Sequence, residues 1–175
     1  MKKILKLFLY LFTFIVFFIL FLPKESFYNL LEKELEKNQI IVSNEIREER
    51  FFFFDVFGSN IFYQGINVAK IDKFSFETYL LYTKIDLKNV IFLDSFASFV
   101  PTPINEFVLR HSILNPNKIK IEANGTFGEL KAEIDILTRV VKMELNASNI
   151  MKNSYSKLLK NMRYENERYL YEYKF

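Results

Sequence analysis

Apolar and polar positions follow different periods along this chain, and each period marks a different element. The clearest is the strict alternation from 118 to 147. Ile119, Ile121, Ala123, Gly125 and Phe127 alternate with Lys118, Lys120, Glu122, Asn124 and Thr126. After a turn at Gly128-Glu129, Leu130, Ala132, Ile134 and Ile136 alternate with Lys131, Glu133 and Asp135. After Thr138-Arg139, Val141, Met143, Leu145 and Ala147 alternate with Lys142, Glu144 and Asn146. A period of two with turn residues between runs predicts a three-strand antiparallel meander with one apolar and one wet face. Upstream, Phe74, Phe76, Thr78, Leu80 and Tyr82 share a face. A turn near Thr83-Lys84 then leads to Ile85, Leu87 and Ile91, which predicts a hairpin. The runs IIVSNEI, RFFFFDVFG and NIFYQGINVAKI are rich in strand formers.

Helical spacing appears in three places. In residues 25–38, Phe27, Leu30, Leu31 and Leu35 recur on one side, with Glu32, Lys33, Glu34 and Lys37 elsewhere. After Ser148, a natural N-cap, come Ile150, Met151, Tyr155, Leu158, Leu159 and Met162. The chain closes on ERYLYEYKF, a strand with Tyr169, Tyr171, Tyr173 and Phe175 on one face, tied into a sheet. Residues 94–117 break the alternation at Pro101, Pro103 and Pro116. They read as a crossing segment or loop with an apolar underside and a short helix near 104–111.

The third helical stretch is apolar all round. From Leu7 to Leu22 there is no charge, and Lys2, Lys3 and Lys6 precede the run. From Ile4 it covers about 28 Å as a helix, against a hydrocarbon core of roughly 30 Å. A cleaved signal needs small residues at its end, where Phe21 and Leu22 stand, so the reading is an uncleaved anchor. The lysines place its N-terminus in the cytoplasm. The expected organisation is a transmembrane anchor (1–22), a juxtamembrane amphipathic helix (23–38) and a β-rich periplasmic domain (39–175). The fold class is then an N-terminal transmembrane helix plus α+β, mainly antiparallel β-sheet, with short flanking helices. The location is a bacterial inner membrane, crossed once.

Composition narrows the chemistry. The chain has no cysteine, which excludes thiolate metal sites and cysteine nucleophiles. Its net charge is +3, with Lys and Glu interspersed, so no nucleic-acid surface is implied. His111 is the only histidine, and no motif supplies it with a partner. There is no Gly-rich phosphate loop and no paired histidine, so no cofactor or metal is expected and no catalytic residue is assigned. Glu45, Glu48 and Glu49 cluster, but Arg47 and Arg50 sit among them and neutralise the edge. Asn124-Gly125-Thr126 and Asn146-Ala147-Ser148 are Asn-Xaa-Ser/Thr sequons, each with a Glu two positions upstream. Asn124 and Asn146 are therefore candidate N-glycosylation acceptors on the wet face.

The anchor, the IFYQGINVAKIDKFSFETYLLYTKIDLKNV strands, the TFGELKAEIDILTRVVKMELNAS meander and the closing YLYEYKF resemble type II secretion system protein N. More distantly, they resemble AsmA-like periplasmic proteins. That resemblance implies a non-enzymatic protein that takes part in assembling a secretion, export or uptake machine by binding protein partners at the inner membrane. The alternative it implies is lipid binding in an apolar groove, with Phe51, Phe53, Phe74 and Phe76 as candidate lining. Aromatics at strand spacing also serve as ordinary core.

Overall fold

The computed structural model describes residues 2–21, 23–79 and 81–175. Helix α1 (Lys2–Leu20) and helix α2 (Lys24–Lys37) come first. Strands β1 (Ile40–Ser43), β2 (Ile46–Glu49), β3 (Phe53–Tyr63), β4 (Ile66–Thr78) and β5 (Tyr82–Phe92) follow. A 3-10 turn (Asp94–Ser98) leads to β6 (Ile104–Ser112), β7 (Asn115–Gly125), β8 (Gly128–Asp135) and β9 (Val140–Ala147). Helices α3 (Asn149–Ser154) and α4 (Ser156–Leu159) precede β10 (Arg163–Glu165) and β11 (Arg168–Lys174).

All eleven strands belong to one antiparallel sheet, ordered β1-β3-β4-β5-β6-β7-β8-β9-β11-β10, with β2 also paired to β3. Tight turns make this meander possible. Gln64 and Gly65 between β3 and β4, and Asn166 and Glu167 between β10 and β11, all have positive φ, as a two-residue hairpin turn requires. Apart from register shifts near strand ends, at Ile61/Phe62 in β3 and at Ile104/Glu106 and His111/Ser112 in β6, the pairs keep their parity, so side chains of the central rows sort by face. One cross-strand row runs Phe54, Phe76, Ile85, Leu109, Ile121, Ala132, Met143 and Tyr171. A second runs Val56, Phe74, Leu87, Phe107, Ala123, Leu130, Leu145 and Tyr169. These two rows form an apolar face. The positions between them form a charged face.

Two small helical covers rest on the apolar face. At one end Tyr28 of α2 meets Phe54 at 5.2 Å and Phe74 at 5.6 Å between ring centroids, over Val56. At the other, Met151 and Leu159 of α3 and α4 bury Ala123, Phe127, Leu145 and Ala147. Ser148 caps α3 by accepting from the Met151 amide. The Tyr155 hydroxyl donates to the Ala97 carbonyl at 3.0 Å and ties the helices to the 3-10 turn. The charged face has its own buried row, in which Asp55, Ser75 and Asp86 stand side by side on β3, β4 and β5. Ser75 Oγ donates to Asp55, Lys73 Nζ lies 3.1 Å from Asp55, and Lys84 Nζ lies 3.1 Å from Asp86.

Several expectations are corrected. The sequence reading placed a transmembrane helix over 1–22, a single inner-membrane crossing and a periplasmic domain beyond it. Among the described residues no helix is long and apolar enough to cross a membrane. Helix α1 forms, and Ile4, Leu9, Phe14 and Phe18 are exposed on it. Its first turns carry Lys2, Lys3 and Lys6, however, and the charge-free part from Leu7 to Leu20 covers only about 21 Å. The membrane-anchored α+β class therefore gives way to one large antiparallel sheet with short helices. The loop and short helix expected within 94–117 are corrected too, because 104–112 is strand β6, paired on both sides. Leu22 and Leu80 lie outside the described residues.

Two glycines gauge how tightly the turns are built. At Gly128 (φ +113) a Cβ would lie 2.1 Å from the Asn146 carbonyl oxygen and 2.8 Å from the Ser148 nitrogen. Gly65 (φ +81) has nothing within 4 Å. Chemical denaturation of Gly128→Ala is expected to show a loss of about 3 kcal/mol or more, because both strain and overlap act. Gly65→Ala is expected to lose only about 1 kcal/mol, from its left-handed backbone alone.

Candidate functional site

The covers at the two ends leave the middle of the apolar face open. Ile85, Leu109, Ile121, Ala132 and Met143 are half-buried, and Tyr171 is exposed. They shield one another within the row, but neither helical cluster includes them. Next to this row stands another, with Ile119, Ile134, Val141 and Tyr173 in register. From β5 to β11 the strip crosses five strand spacings, about 24 Å at roughly 4.8 Å each. Between Ile85 and Met143 the first row has no hydrogen-bonding side chain. Polar groups enter with the phenols of Tyr171 and Tyr173 on β11.

The candidate lining residues separate by position. Phe74 and Phe76 lie on the apolar face and pack against the cluster under α2. Phe53 lies on the charged face, with the Arg50 guanidinium 5.2 Å from its ring. Phe51 is exposed in the turn before β3. The open strip uses none of the four. It is made from alternate residues of the meander and of β5 and β6, which only the register brings into line.

Helix α2 is held to the sheet by charge as well as by Tyr28. Arg47 on β2 pairs with Glu45 and Glu32 and donates to Asn29 Oδ1 at 2.8 Å. Its guanidinium lies 4.9 Å from the centre of the Tyr28 ring. Burial, together with the Glu45 and Glu32 carboxylates, pushes the Tyr28 phenol well above its usual range, so it stays neutral. Burial also raises the Glu32 carboxyl, and Arg47 opposes that shift. Glu48 pairs with Arg50, and Glu49 accepts from the Lys24 amide. The acidic cluster near 45–49 thus serves the α2 contact.

On the charged face a trough of about 730 Å³ crosses β7, β8, β9 and β11. Three of its glutamates are engaged from outside: Glu122 by Arg110 at 2.6 Å, Glu133 by Lys118 at 2.5 Å, and Glu144 by Arg168. The Arg110 bond holds the Glu122 carboxyl below its ordinary value. Asn124 and Asn146 lie on this face in one row, on either side of Glu129. Asn146 is exposed, whereas Asn124 is half-buried with its amide 3.4 Å from Glu106. Both sequon hydroxyls are engaged, Thr126 donating to the Pro103 carbonyl and Ser148 to the Thr126 carbonyl. His111 contacts the Pro116 carbonyl at 2.9 Å. Among the described residues no three His, Asp or Glu side chains come together as metal ligands.

Replacing Arg47 with Ala leaves Glu45 and Glu32 beside Tyr28 without their cation. Equilibrium unfolding is expected to show a loss of about 2 kcal/mol. Ser148→Ala removes the α3 cap and is expected to lose about 1 kcal/mol by the same measurement. In comparison with known proteins, no family model, curated protein or solved structure matches this chain.

Proposed function

We propose that this chain is a non-enzymatic binding protein that holds the acyl chain of a lipid against its open sheet face. The sequence leaves two roles, an assembly component of an export or uptake machine and a lipid binder with an apolar groove. The single observation that favours the second is the uncovered row from Ile85 to Tyr171. An occupant must be apolar along its length, because no side chain between Ile85 and Met143 can donate or accept a hydrogen bond. It must also be long and narrow, because α2 covers the face at β3 and β4 and the α3–α4 cluster occupies the adjoining row of Ala123, Leu130 and Leu145. An acyl chain meets both conditions. Its polar end would lie at β11, beside the Tyr171 and Tyr173 phenols. The driving force is removal of apolar surface from water, at about 25 cal/mol per Å².

Titration of the full chain with a fluorescent long-chain fatty acid tests the reading. Saturable binding is expected, and Ile121→Glu or Met143→Glu, each placing a carboxylate in the row, is expected to weaken it about tenfold or more. Lys131→Glu, on the charged face between the same strands, is expected to leave it unchanged. Absence of saturable binding, or equal weakening by Lys131→Glu, would rule the reading out.

A further inference from the structure

The sheet has two ends as well as two faces, and its hairpin turns differ between them. At one end lie the turns β2–β3, β4–β5, β6–β7 and β8–β9 and the last residues of β11. Every one of these carries exposed apolar side chains. Phe51 is 69% exposed, Leu114 in the β6–β7 turn 77%, and Leu137 in the β8–β9 turn 73%. In the β4–β5 turn Tyr79 stacks on Tyr82 at 4.8 Å and on Phe52 of the neighbouring turn at 6.2 Å. At the opposite end the hairpin turns are Gln64-Gly65 and Asn166-Glu167, both polar, and Thr126-Phe127, whose ring is buried. That end does expose Ile66 (63%) beside Gln64-Gly65 and Phe99 (62%) in the long connection, but these are single residues away from the hairpin tips, and Phe99 packs edge-on to Phe96, which packs on Tyr63. Four successive hairpins with apolar tips at one end are not what turn chemistry favours, since solvated turns are built from Gly, Asn, Asp, Ser and Pro.

We infer that this row of turns dips into the surface of an anionic lipid bilayer, with nothing crossing it. Three observations choose a lipid surface over a protein partner. The tips belong to separate turns along one end of the sheet and make a line of apolar points rather than a pocket or patch. A fluid interface accepts such a line without shape matching. Charge at this end is complementary to anionic headgroups. Glu48 is taken by Arg50 and Glu77 by Lys84, which leaves one carboxylate, Asp135, held ionised by the Thr138 amide, against two exposed cations, Arg139 and Lys174, that have no acidic partner among the described residues. Finally, the exposed apolar helix α1 joins the body at the same end. Lys24, which opens α2, has its amide 2.8 Å from Glu49 Oε1, one residue before the β2–β3 turn. Tyrosines stacked at the rim suit a boundary where a ring meets lipid and its hydroxyl meets water. The inference does not depend on acyl-chain binding, although the open face reaches the same end through Ile119, Ile134 and Val141.

The chain has no tryptophan, so a single introduced indole reports its own surroundings. Full-length Leu114→Trp, Leu137→Trp and, from the opposite end, Gln64→Trp are mixed with vesicles of phosphatidylcholine and phosphatidylglycerol, with and without brominated acyl chains. Emission at 114 and 137 is expected to shift to the blue and to be quenched about twofold or more by bromine, while the indole at 64 is unaffected. Three outcomes would overturn the inference. The protein could fail to float with the vesicles. It could float with all three indoles unquenched, which would assign the attachment to α1 alone. Or the indoles at 114 and 137 could already be blue-shifted in buffer in a concentration-dependent way, which would assign the rim to a second copy of the chain.

Discussion

Cross-strand register is the constraint from which the other features of this molecule follow. A strand presents alternate residues to opposite faces, so a slip of one position exchanges the faces along its whole length. Here the parity holds through the central part of every pair from β3 to β11, and the result is an unbroken apolar row from Phe54 to Tyr171 with charged positions on the reverse. The irregularities at Ile61/Phe62 in β3, and between Ile104 and Glu106 and between His111 and Ser112 in β6, occur near strand ends and leave the central rows aligned. The turns at Gln64-Gly65 and Asn166-Glu167 fix their own hairpins, because a two-residue turn with both residues left-handed permits very few pairings.

A single sheet of this breadth cannot form one closed core with fourteen residues of α2 and the brief α3 and α4. The helices bury two separate clusters instead, one under Tyr28 and one under Met151 and Leu159. Between them the sheet is stabilised by its own ladder and by side chains leaning on their neighbours in the row. Arg47 illustrates how the ends differ from the middle. It joins α2 to β2 through Glu32 and Asn29 and lies over Tyr28, a concentrated set of contacts with no counterpart over β6 to β8.

Much of the sheet was legible in the sequence where one face is fully wet. The runs 118–125, 130–135 and 141–147 alternate without exception, and β7, β8 and β9 lie over them. Strand β6 was not legible. Pro101 and Pro103 precede it, and Val108 is apolar on the charged side, where it packs unseen beside Asp86. Both features blur a period of two. Helix α1 is legible as a helix, but its reach is not, because the apolar run continues past the end of the helix at Leu20 while Lys6 shortens its charge-free part. The open strip was not legible at all. Ile85, Leu109, Ile121 and Met143 are far apart in sequence and ordinary one by one, and only their alignment makes a surface. Of the aromatic residues at strand spacing, Phe51 belongs to a turn and Phe53 to the reverse face.

The buried row of Asp55, Ser75 and Asp86 gives this register a safeguard that hydrophobic matching lacks. Apolar side chains on a broad sheet are nearly interchangeable, so a slipped pairing of β3, β4 or β5 could still bury Phe and Ile somewhere. It could not keep Asp55 beside Ser75 and Lys73, or Asp86 beside Lys84. A one-residue slip would turn a carboxylate onto the apolar face, away from any lysine, at a cost of several kcal/mol. These two acids therefore act as alignment marks. They make wrong pairings of β3, β4 and β5 unfavourable more than they make the right one strong.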